Sequence, residues 1–174
     1  MSDLIILVYR NQTEAYVSGE TLVVLQQEAG TEPEDIVVVT RAADGRVSVN
    51  QSIDLASGEP LGGGRWGTLL GMMFLDTRKP KPGGKGLAAQ FSETGLDEKF
   101  VVAVGQALKK GGAAVAMRVR LLGTDRVLDK VKTLKGTPKV IRTRLSADTE
   151  DALHDLQDQI PQHVLSQFPS DGLI

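Results

Sequence analysis

No cysteine occurs in this 174-residue chain, which excludes disulfides, thiol catalysis and Cys-based metal sites. Aromatic residues make up only 4%, so a core must be assembled from Val, Leu, Ile and Ala. The two histidines, His154 and His163, are nine apart with Pro161 between them, without the spacing or the partners a metal site needs. No Ser–His–Asp or paired-carboxylate arrangement stands out, and each acidic residue reads as a helix cap or a surface charge. No catalytic residue, cofactor or metal is therefore expected. "MSDLIILVYRNQ" opens without a basic segment and its apolar run is five residues long, so a secretory signal is not expected. Lys and Arg are missing from residues 145–174, which carry 6 acidic side chains.

Apolar content is 41% and charged content 24%, the balance of a soluble globular protein, and the expected location is the cytoplasm. The formal charge of −2 argues against a general polyanion binder. Its distribution is uneven. Residues 1–75 hold 4 basic and 10 acidic side chains, whereas 109–144 hold 11 basic and 2 acidic.

Hydrophobic patterning divides the chain into elements. "LIILVY" (4–9) reads as a buried strand. The helix that follows has Asn11 or Thr13 as its N-cap and Gly30 as its stop, with Gly19 allowing close approach. "DIVVVTRAADGRVSVNQSID" (35–54) is a hairpin about "ADGR". "LDEKFVVAVGQALKKGG" is a helix capped by Asp97 and ended by Gly111. Residues 113–122 and 139–145 alternate as strands around a helix capped by Thr124, and an acidic helix closes the pattern. The order β-α-β-β-(Gly-rich segment)-α-β-α-β-α predicts an α/β (α+β) fold. We expect a ferredoxin-like sandwich with a mainly antiparallel sheet, helices on one face, and later elements extending the sheet. Residues 1–174 form one domain, with 58–95 as a Gly-rich apolar and basic insertion. If 113–122 and 139–145 pair, Arg118, Arg120, Arg142 and Arg144 share one basic sheet face. Neither strand holds the exposed aromatics that RNA-binding sheets use, so nucleic acid is not an expected partner. Asp148, Glu150, Asp151, Asp155 or Asp158 of the last helix, from this copy or a neighbour, is expected to offset the arginines.

The insertion supplies the candidate contact surface. Gly63, Gly67 and Gly71 would lie on one helical face, which permits close approach between helices, beside Trp66, Leu70, Met73 and Phe74; the segment then packs on another copy or on the body of its own chain, or it is not a helix. As a helix, residues 61–75 would rise about 22 Å, short of the about 30 Å of a bilayer core, so a membrane span is excluded. "GGGRWGTLLG" also lacks the Lys-Ser/Thr ending of a phosphate-binding loop. Two readings follow. The first is a non-enzymatic structural or interaction protein whose partner is a second copy of itself, joined through this segment. Because the acidic tail can fold back on its own sheet, that assembly would be insensitive to salt. The second is a peripheral membrane module, with Trp66, Met72, Met73 and Phe74 in the interface and Arg78, Lys79, Lys81 and Lys85 on anionic headgroups. No small-molecule partner is identifiable, and a ligand-binding or enzymatic role has only the fold's general tolerance behind it.

The pieces "DIVVVTRAADGRV", "GGRWGTLLGMMFL", "GLDEKFVVAVGQAL" and "DRVLDKVKTLKGTPKVIRTRLSADTEDAL" resemble, in order and spacing, a bacterial family of predicted membrane proteins, domain-of-unknown-function family 1269. The resemblance implies an α/β body interrupted by a Gly-rich apolar segment, and it carries no catalytic residues across. Members of that family often continue the apolar segment into a second Gly/Ala-rich arm. Here "DTRKPKPGGKGLAAQFSETG" stands in its place, which weakens a membrane assignment for this chain.

Overall fold

The structure is a computed structural model that describes residues 2–28, 36–45, 47–53, 60–61, 73–74, 87–120 and 123–158. Six strands run through it: β1 (Ser2–Tyr9), β2 (Ile36–Arg41), β3 (Val47–Ile53), β4 (Pro60–Leu61), β5 (Ala113–Arg120) and β6 (Lys139–Leu145). Among the described residues five helices accompany them: α1 (Gln12–Glu28), α2 (Leu87–Glu93), α3 (Glu98–Ala107), α4 (Thr124–Val131) and α5 (Ala147–Asp158).

Local chemistry sets most boundaries. The Asn11 side chain accepts from the Glu14 amide to start α1, and Asp97 accepts from the Lys99 amide to start α3, each supplying a partner that the first helical turn lacks. The "ADGR" turn closes between β2 and β3 with Gly45 at φ 92°, a left-handed position that glycine adopts without a Cβ clash. Three boundaries differ from the sequence reading, which ends the helix begun at Thr124 at Gly136, whereas α4 stops at Val131. Helix α3 stops at Ala107, because Leu108 turns extended and buries itself instead of carrying the helix on to Gly111. Thr124 does not cap α4: it is the first helical residue, and its hydroxyl donates to Asp3 at 2.8 Å.

The sheet runs in the order β4-β3-β2-β5-β1-β6, and every neighbouring pair is antiparallel. Strand β5 lies between β1 and β2, and β1 lies between β5 and β6. The units β1-α1-β2 and β5-α4-β6 are therefore interleaved, each placing a strand between the two strands of the other. The added strands are β3 and β4, on the outer side of β2, and not the late strands that the sequence suggested.

Helices cover both faces. On one face, Ile5, Leu7, Val38, Val115 and Met117 pack against α1 and α4 through Leu22, Val127 and Val131. On the other, Leu4, Ile6, Val37, Val39 and Ala116 pack against Phe91 of α2, Phe100 and Val104 of α3, and Leu153 of α5. This corrects the expectation of helices on a single face. The physical reason is visible in "LIILV" and "IVVV": strands with no polar face must be covered on both sides. Helix α1 approaches closely because Gly19 faces the sheet, where an added Cβ would lie 3.1 Å from a methyl of Val38.

Candidate functional site

Of the residues expected to make contacts, only Met73 and Phe74 fall within the described residues. Both are buried in the core on the α2–α3–α5 face. Gly63, Trp66, Gly67, Leu70 and Gly71, and the basic residues Arg78, Lys79, Lys81 and Lys85, lie outside the described residues. The expectation that Met73 and Phe74 form an outward contact surface is therefore corrected. Nor is the core purely aliphatic, as the scarcity of aromatics suggested: Phe74, Phe91 and Phe100 all lie in it, because a large apolar ring gains most by leaving water.

The segment's end is also held by its backbone. Arg41, the last residue of β2, is fixed by main-chain bonds, its amide donating to Gly112 O at 3.1 Å and its carbonyl accepting from Gly111 N at 2.7 Å. From that position the guanidinium donates through Nη1 to Gly45 O at 3.1 Å and through Nη2 to Phe74 O at 2.7 Å. One side chain thus joins the β2–β3 turn, the strand end and the exit of the Gly-rich segment. Hydrogen bonds from a charged donor are among the stronger ones. Nothing local in the sequence marks Arg41 for this role, since its partner lies 33 residues away.

The basic sheet face does not form. Because β1 stands between β5 and β6, orientation is set by two registers. Arg118 and Arg120 pair with Leu4 and Ser2, whereas Arg142 and Arg144 pair with Ile5 and Asp3. Register partners share a face and adjacent residues do not, so the two arginine pairs point to opposite sides of the sheet. The expected acidic partner does appear, since Arg118 forms an ion pair with Glu150 of α5 at 3.3 Å. Across the sheet, buried Asp3 accepts from Arg144 Nε at 3.2 Å as well as from Thr124, joining β1, β6 and the start of α4.

Tyr9, at the end of β1, is buried beneath α1. Burial pushes its hydroxyl pKa above the ordinary 10.0, the negative charge of Glu14 adds to this, and Ser18 works in the other direction. A pKa raised by folding contributes stability that is complete below the unfolded value and is lost as pH rises through the folded one. Unfolding followed from pH 9 to 11.5 should show a decline above about pH 10. The decline should be smaller in Tyr9→Phe, and equal slopes in the two proteins would refute it.

Among the described residues there is no cluster of three or more His, Cys, Asp or Glu able to hold a metal, and no helix long and apolar enough to cross a membrane. His154 is half-buried on α5, and His163 lies outside the described residues.

An α+β fold, its antiparallel sheet covered by helices on both faces and with Met73 and Phe74 buried on one of them, defines the class. The family model described as "Protein of unknown function (DUF1269)" matches residues 60–157, and the chain belongs to that family. No curated protein and no solved structure matches it.

Proposed function

We propose that the protein is a structural or interaction protein that assembles with itself through the glycine face of its Gly-rich segment, at Gly63, Gly67 and Gly71. The observation that carries this reading is the mooring of the segment's exit, where Met73 and Phe74 are buried and Arg41 grips the Phe74 carbonyl. A helix with three interior glycines forms only where packing fixes it. A chain anchored at one end has already lost part of the entropy that such packing opposes. The same observation disfavours the membrane alternative. Of the four apolar residues counted on to enter a bilayer, Met73 and Phe74 are committed to the core, which leaves Trp66 and Met72.

Light scattering coupled to size exclusion tests the proposal on wild type and Gly67→Leu. The wild type should run as an oligomer that persists in 1 M sodium chloride, because a close apolar contact is not screened as exposed charges are. Gly67→Leu should shift the population to monomer. Monomer in both samples would dispose of the reading, and an oligomer unchanged by the substitution would place the contact elsewhere.

A further inference from the structure

Four large hydrophobic residues are exposed among the described residues: Tyr16, Val17 and Val24 on α1, and Val140 on β6. They lie on two surfaces of opposite charge. On α1, Val17, Glu20, Val24 and Glu28 follow at spacings of three and four, so they line one outward stripe. Val17 is 57% and Val24 49% exposed, and both glutamates are exposed. The whole of α1, "QTEAYVSGETLVVLQQE", contains no Lys or Arg. An amphipathic surface helix should be polar on its outer side, and this one sets two valines among its glutamates there.

The second surface is the outer strand β6, "KVIRTRL", which has three basic residues and no acid. Its α3–α5 side is covered, since Leu145 and Ile141 belong to that core. On its other side Val140 is 41% exposed, and Arg142 beside it is exposed. Arg142 makes no ion pair among the described residues. Helices α1 and α4 cover β1, β2 and β5 on that side, and β6 remains outside their cover.

We propose that these two surfaces are the halves of one contact between copies of this chain, with the Val17–Glu20–Val24–Glu28 stripe of one copy seated on Val140 and Arg142 of the next. Charge selects this arrangement over the symmetric ones. Two α1 stripes packed together gather the glutamates of both copies in one contact with no cation to offset them. Two β6 edges paired about their midpoint set Arg142 against Arg142, and like charges directly opposite are destabilising. Stripe on strand joins apolar to apolar and acid to base. The contact is heterologous, so it extends as a ring or a chain instead of closing as a dimer. With few apolar residues on either side it belongs among the small, transient interfaces. Its dependence on exposed charge pairs makes it sensitive to salt, unlike the glycine contact proposed above, from which it is independent.

Sedimentation at protein concentrations of about 0.1–1 mM and low salt tests it. One variant removes the stripe, Val17→Ser/Glu20→Gln/Val24→Ser, and the other removes the strand surface, Val140→Thr/Arg142→Gln. All five positions are exposed, and circular dichroism confirms that both variants fold. Each is made in the wild-type and in a Gly67→Leu background, so that species maintained by the glycine segment are identified separately. The wild type should gain mass with concentration, and this gain should vanish at high salt. Each variant alone should lose the gain, whereas an equimolar mixture should recover a single contact, seen in the Gly67→Leu background as a 1:1 complex. A wild type showing no concentration-dependent gain overturns the proposal. So does a variant that retains the gain, or a mixture that fails to pair. Loss of the glycine-dependent species alone leaves this contact standing.

Discussion

Phe74→Ala should destabilise the protein by about 3–5 kcal/mol, the range for emptying a fully buried aromatic site. Against a total stability of about 5–15 kcal/mol for a domain of this kind, that is a large share. The expectation rests on complete burial of Phe74 in the core that also holds Phe91, Phe100 and Leu153. A urea titration with an unchanged slope and a lowered midpoint gives the measurement. A residue serving an outward contact would behave differently, since surface substitutions usually stay within about 0.5 kcal/mol. The result therefore decides whether this end of the Gly-rich segment belongs to the domain's interior or to its surface. Loss of solubility without loss of stability would contradict the burial described above.

The second large effect is expected at Asp3. Its side chain is 4% exposed, whereas that of Arg144 is 62% exposed, and the Thr124 hydroxyl that also bonds to it is buried. Removing the carboxylate in Asp3→Ala leaves the Thr124 donor buried without its acceptor. Such an orphaned group costs about 1–3 kcal/mol, and the lost bonds involved a charged acceptor, so a loss of about 3 kcal/mol is expected. The partners rank below it. Arg144→Ala should cost under about 1 kcal/mol, because most of that side chain is in water and its pairing is screened. Thr124→Val should fall between the two. If Arg144→Ala proves as costly as Asp3→Ala, the ion pair rather than the hydroxyl bond ties β6 and α4 to β1.

Single elements were legible because their signals are local. Alternation in "AAVAMRVR" and "KVIRTRL", the turn residues of "ADGR", and the cap at Asp97 each act within a few positions, and the structure places an element at each. Pairing between elements was less legible. Nothing in β5 or β6 states that β1 lies between them. Assuming direct pairing put four arginines on one face, although the actual registers separate them. A period of two makes such an inference fragile, since a shift of one residue reverses every side chain. Double coverage of the sheet could have been read from the unbroken apolar runs of β1 and β2. The α+β class was legible, and so was the family resemblance, because both rest on order and spacing along the chain. The roles of Met73, Phe74 and Arg41 were not legible, because a buried aromatic and an interfacial one look alike in sequence, and Arg41 reaches its partner only through the fold.

The central position of β1 has a consequence for biosynthesis. It is made before both of its neighbours, Ala113–Arg120 and Lys139–Leu145, which come more than 100 residues later. At ribosomal rates of about 5–20 residues per second, "LIILVY" waits roughly 5–20 s before either partner has been synthesised. Contacts this distant along the chain also fold slowly once they are available. Throughout that interval an apolar strand with two unpaired edges is exposed, which is the form that nascent-chain chaperones bind and that aggregates recruit. Refolding yield should therefore fall as protein concentration rises, even where the native domain is soluble.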